Sequence, residues 1–176
     1  MPEKYWLGHF IGLRVSARRS ALLGLLILWL ILGIIGGWVL KLPLMQAVFG
    51  GLLAALLHYA SEFWHNLGHA AAACRTGNPM VGVLYWGFLA TSLYPKDEGE
   101  LPRNVHLIRA IGGPIASLLL TMVMGAISLA LQAMGGVVWY LVVFVFLDNL
   151  LVFTLGAILP LGFTDGSTIL YWLRQR

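Results

Sequence analysis

Charge is scarce in this sequence. Seven acidic and 11 basic side chains make up 10% of its 176 residues. A soluble globular domain carries about 25% charged residues, so this chain lacks the polar groups to cover a water-facing surface. Cysteine is scarcer still: Cys74 is alone, which excludes an internal disulfide and any four-cysteine metal site. What the sequence has instead is apolar surface, 60% of residues with a mean hydropathy of +0.86. The composition is that of an integral membrane protein. About four crossings fit in this length, so residues 1–176 read as a single membrane domain with no second folded unit. The net charge of +4 and pI near 9.5 do not point to nucleic acid. The basic residues fall between apolar runs and form no patch interleaved with aromatics.

Four apolar runs predict crossings over about 21–40, 44–74, 105–134 and 137–161. A short helix over 167–173 follows a glycine- and aspartate-containing break. The first run is too long for a signal-peptide core and follows a charged, aromatic segment, so it reads as a retained span. Lys4, Arg14, Arg18 and Arg19 precede it. Arg75, Lys96, Arg103 and Arg109 flank or occupy the 75–104 loop, and Arg174 and Arg176 end the chain. Lys41 stands alone on the other side. This asymmetry predicts cytoplasmic termini and a cytoplasmic 75–104 loop, which four spans satisfy. Residues 5–15 and 80–94 are rich in aromatic and β-branched side chains and bounded by turn residues, which favours strand or re-entrant structure. Strand edges cannot face lipid, so these two segments are expected to pair with each other at the cytoplasmic interface. The predicted fold is an all-α membrane protein with about four transmembrane helices and a small interfacial β element. The 95–102 stretch reads as a solvated turn.

Six ionisable residues lie in or beside the apolar runs: His58, Glu62, His65, His69, Asp148 and Asp165. Each costs at least about 2.5–3.5 kcal/mol at membrane depth unless a partner or a wet cavity receives it. At about 100° per residue, with His65 as zero, His58 falls about 20° away, His69 about 40° and Glu62 about 60°. All four line one face of the second span. His65 and His69, four apart, can hold one metal ion. His58 is about 10 Å further along the axis, too far to share that ion, and reads as a satisfied interior or interfacial histidine. A catalytic zinc site needs a third protein ligand and an open position. Asp165 is the best candidate. It sits where Pro160, Gly162 and Gly166 break the fourth helix, and irregular backbone at that depth lines a cavity or is buried in protein. Asp148, beside Asn149, suits a polar contact between helices, and His106 an interfacial position. Glu62 either pairs with His58 or His65 or stands near the metal.

These residues resemble the site-2 protease family of intramembrane zinc metalloproteases. Gly8-His9-Phe10-Ile11-Gly12-Leu13-Arg14-Val15 is similar to the family's "GxxxGIxV" stretch before the first span. His65-Asn66-Leu67-Gly68-His69-Ala70 matches "HELGHA" at all but one position. Gly113-Pro114-Ile115-Ala116-Ser117 resembles the "GPxAN/S" element that opens the family's third core helix. Leu159 to Gly166, LPLGFTDG, looks like "LPxxPLDGG" with the same proline-to-aspartate spacing. The resemblance implies a site-2-protease-like core, Zn2+ held by His65, His69 and Asp165, and a transmembrane protein as substrate. It implies a membrane-embedded peptide bond cut by a zinc-activated water, with lipid as the surroundings, in a prokaryotic plasma membrane.

The departure falls at Asn66, where the family has the glutamate that takes the water's proton. An amide cannot take it, and general acid–base help is worth about 10²–10⁴-fold. Glu62, about 4.5 Å along the axis from His65, is a candidate to substitute through a bridging water or to orient a histidine. Three readings follow: a zinc metallopeptidase, a zinc-binding pseudoprotease that grips transmembrane helices without cutting them, and a histidine-ligated haem protein.

Overall fold

A computed structural model describes residues 4–175. Five helices and four strands follow in the order β1 Lys4–Phe10, β2 Leu13–Arg18, α1 Arg19–Val39, α2 Leu44–Arg75, β3 Gly82–Trp86, β4 Leu89–Leu93, α3 Arg103–Leu131, α4 Gly136–Gly156 and α5 Asp165–Arg174. Helices α1 to α4 are each long and apolar enough to cross a membrane. Their outward side chains, among them Leu26, Leu30, Ile115, Leu119 and Met122, are large, apolar and exposed. Lipid is the solvent that suits them. By contrast, α2 buries a polar stripe: His58, Ser61, Glu62, His65, Asn66 and His69 all face inward.

The two aromatic segments pair as expected. The sheet order is β1-β2-β3-β4, and β2 runs parallel to β3 from Arg14 opposite Gly82 to Ala17 opposite Tyr85. Each segment doubles back as an antiparallel hairpin. The first turns at Ile11 and Gly12, both with positive φ (51° and 77°), a conformation that matches the right-handed strand twist. Leu13, Val15, Val83 and Tyr85 pack on Ala21, Ala73, Phe63 and Leu67, so the sheet lies on α1 and α2. The tip of the β3–β4 hairpin is wedged beside the helices. Tyr59 donates to the Gly87 carbonyl (2.6 Å), and a Cβ at Gly24 would stand 2.2 Å from that same oxygen.

Close crossing of α2 and α3 sets the interior. A Cβ at Gly68 would lie 2.3 Å from the Gly112 carbonyl oxygen, and one at Gly112 2.4 Å from that of Gly68. Small residues at a membrane-helix crossing let backbones approach and gain packing that lipid cannot match. Helix α3 runs over Arg103–Leu131, close to the crossing expected at about 105–134, and carries Gly113–Ser117 with Pro114 in its interior. Proline there removes the bond its N–H would give to residue 110. Helix α4 is π-helical over Asn149–Gly156, a widened turn that frequently accompanies functional sites. It puts the Phe153 ring 5.2 Å from the His58 ring and 5.8 Å from the His65 ring.

Candidate metal centre

The break after α4 delivers Asp165 to the α2 stripe. Residues 159–164 form an irregular bend closed by its own side chains: Thr164 Oγ1 accepts from Leu161 N (3.2 Å), and Gly162 N donates to Ser167 (2.6 Å). Helix α5 begins at Asp165, where a carboxylate complements the helix dipole. Gly166 permits the approach, since a Cβ there would stand 1.8 Å from the Ile158 carbonyl oxygen. Further along, the Trp172 ring stacks on His106 at 4.0 Å and Arg103 donates to the Leu173 carbonyl (3.2 Å), fixing α5 to α3.

Three ligand-type atoms converge as a result. His65 Nε2 lies 3.1 Å from His69 Nε2 and 3.1 Å from Asp165 Oδ2, and His69 Nε2 lies 3.3 Å from Asp165 Oδ1. Ligands of a tetrahedral zinc at bond lengths of about 2.0–2.1 Å stand about 3.3 Å apart, so the triangle has the size of a zinc face. The far ring nitrogens are already occupied. His69 Nδ1 donates to the Arg109 carbonyl (2.8 Å), and His65 Nδ1 meets Ser117 Oγ (3.0 Å). A carbonyl on Nδ1 fixes the tautomer whose Nε2 is free to coordinate. A Cβ at Gly113 would lie 2.4 Å from both Nε2 atoms, so only glycine leaves that side clear. The donor set, its spacing and this cradle fit Zn2+. With the two Nε2 atoms 3.1 Å apart on one helix, the imidazoles cannot stand on opposite faces of one macrocycle.

Burial pushes the Asp165 carboxyl up, but the two imidazoles beside it, when protonated in the absence of a metal, outweigh burial and hold it at about 2. It is therefore an anion throughout the neutral range, the form a metal needs. With a side chain 20% exposed, it remains reachable from a cavity of about 680 Å³. Glu62, Asn66, Ala90, Ser92, Arg109 and Phe153 also line this cavity.

Asn66 and Glu62 are both buried on the same wall. Asn66, 2% exposed, donates to the Glu62 carbonyl (2.9 Å) and accepts from Ser92 Oγ (2.9 Å). The Glu62 carboxylate pairs with neither His58 nor His65, one of the alternatives drawn from the sequence. Its Oε1 accepts from Ala90 N of β4 (2.8 Å) and lies 3.5 Å from Asn66 Nδ2. His58 is satisfied elsewhere, with Nδ1 3.1 Å from Asp148 and Nε2 2.9 Å from the Phe88 carbonyl. Asp148 is thus the interhelical contact the sequence suggested, and Asn149 beside it donates to Ser61 (2.9 Å).

In the sequence, Gly113 and Ser117 stand only as part of a helix motif, and nothing there assigns a part in this centre to Arg109 or to the edge of β4. Arg109 counted only as an orientation charge. Its side chain is buried, pairs with Glu98, donates to the Asn78 carbonyl (2.6 Å) and lies over the Tyr94 ring at 4.1 Å. An arginine inside an apolar run was the available signal. The 95–102 stretch is accordingly more than a solvated turn, because Glu98 anchors it to α3. Arg109 holds the Glu98 carboxyl below its usual range, and burial pushes the Tyr94 phenol up to about 12.

No protein-family model matches the sequence, and no curated protein matches it. A solved structure does: the site-2 protease from Methanocaldococcus jannaschii superposes with a TM-score of 0.67 at 18% identity, over 97% of this chain and 71% of that one. At that identity the likeness concerns the fold, which is a site-2-protease-like helical membrane core.

Proposed function

We propose that this chain is a zinc metallopeptidase that hydrolyses peptide bonds of membrane-embedded segments, with His65, His69 and Asp165 as its metal ligands. The observation that carries the reading is the triangle of two Nε2 atoms and one carboxylate, each histidine oriented by a bond to its other nitrogen. Zinc, when bound, would polarise the scissile carbonyl and acidify a water. The chain supplies the rest. Helices α2, α3, α4 and α5 and strand β4 wall a largely apolar cavity, and His65, His69 and Asp165 line it. The outer strand β4 runs along that cavity through Leu89–Ser92. An unwound transmembrane segment could add to that strand by main-chain bonding, which leaves sequence choice to the cavity side chains. Both termini and the 75–104 loop would face the cytoplasm, following the basic residues.

The full-length protein in liposomes with transmembrane test substrates provides the test. Cleavage that stops with a zinc chelator and returns with added Zn2+ is expected. Asn66 favours a second reading, because its amide takes no proton and its bonds run to Glu62 and Ser92. A protein that holds stoichiometric zinc, binds the substrates and cuts none of them would be the pseudoprotease.

A further inference from the structure

We propose that Glu62 is the proton acceptor of this hydrolysis, with Asn66 as its positioning residue; the assignment rests on the peptidase reading above. Glu62 is 4% exposed, lies one helical turn before Asn66, and lines the cavity that holds His65, His69 and Asp165. Its two oxygens are treated differently. Oε1 is held by the Ala90 N–H and faces the Asn66 amide, whereas Oε2 has no hydrogen-bond partner among the described residues. A carboxylate buried only to cap the Ala90 N–H would need one acceptor oxygen and no charge. Leaving its second oxygen buried and unmatched in a membrane interior is costly, and a proton is what that oxygen is free to accept.

Asn66 takes the complementary part. Its Nδ2 points at Glu62 twice, toward the carbonyl and toward Oε1, while Ser92 holds its Oδ1. The amide cannot act as a base, but it draws the Glu62 carboxylate to within one hydrogen bond of position 66. The rest of the framework is tied by hydrogen bonds. His58, backed by Asp148, grips the Phe88 carbonyl, and Tyr59 grips that of Gly87, so β4 presents Ala90 N from a fixed hairpin. In the reaction, the carboxylate takes one proton from water as the water oxygen bonds to the scissile carbonyl carbon. It returns that proton to the leaving nitrogen as the C–N bond breaks. Glu62 ends ionised, one water is consumed, and no electrons are exchanged with an outside partner.

Glu62→Gln tests this without disturbing the fold, since glutamine keeps an acceptor for Ala90 N. In the zinc-loaded full chain, kcat on a transmembrane peptide should fall about 10²–10⁴-fold with KM and zinc content unchanged. A readout independent of turnover is the binding of acetohydroxamate, a chelator whose proton the site must accept. Its Kd should rise by about tenfold or more in Glu62→Gln, through loss of a charge-assisted hydrogen bond. Wild-type kcat, or unchanged acetohydroxamate binding, in the zinc-loaded variant would overturn the role of Glu62 and leave the peptidase reading standing. A zinc-loaded wild type that neither cuts the peptide nor binds acetohydroxamate would overturn both.

Discussion

Asp165→Ala is expected to weaken zinc binding by well over about 100-fold while the helices remain intact. Loss of an outer partner to a ligand already costs about 10–100-fold in metal affinity, and Asp165 is placed as a ligand itself. It is the only one of the three brought by a separate element. Without it, His65 and His69 stand 3.1 Å apart at one turn of one helix with a side of the triangle open. Two imidazoles then face an ion that requires three protein ligands for a catalytic zinc site. The carboxylate also carries the negative charge that offsets the ion's own in a low-dielectric setting. Competition against a chromophoric chelator measures the affinity, and circular dichroism reports the helices. Near wild-type affinity in Asp165→Ala would mean that the metal, if held, is held elsewhere.

The second large effect is a gain. In a Glu62→Gln background, adding Asn66→Glu should raise cleavage by about 10²–10⁴-fold, the usual worth of a placed base. The background matters. Beside an intact Glu62, a carboxylate at 66 would stand where the Asn66 amide now lies 3.5 Å from Glu62 Oε1. Two carboxylates at that range cannot both stay ionised, so one would hold a proton and blunt the result. Glu62→Gln removes that conflict and keeps the bond to Ala90. Initial rates on a transmembrane peptide, normalised to bound zinc, measure the gain. No gain in the zinc-loaded double variant would indicate a cavity that grips substrates but lacks the rest of the cutting machinery.

Much of this site could be read from the sequence because membranes penalise unpaired polar groups so heavily. His65 and His69 declared themselves by spacing on an apolar helix, and Asp165 by the proline and glycines that break the fourth span. The pairing of residues 5–15 with 80–94 followed from the need to hide strand edges from lipid. Other features were out of reach. The roles of Gly113 and Gly166 depend on how closely α3 and the end of α4 approach, which no periodicity records. Ser117 and the Arg109 carbonyl serve the histidines only because α2 and α3 cross at Gly68 and Gly112. The sequence left Glu62 between two histidine partners and a place near the metal. The structure seats it in the cavity that holds the candidate ligands and gives its carboxylate Ala90 of β4 rather than a histidine, a contact made by a hairpin 28 residues away. Helical angles placed Glu62 on the right face, but could not say which loop would lie over it.

Anomalous diffraction at the zinc edge, from crystals of the wild-type chain grown with one equivalent of Zn2+, tests the metal centre most directly. The expected map holds one peak per chain, about 2.0–2.2 Å from His65 Nε2, His69 Nε2 and an Asp165 oxygen. A peak at any other set of side chains, or zinc on the histidines with Asp165 turned away, would contradict it.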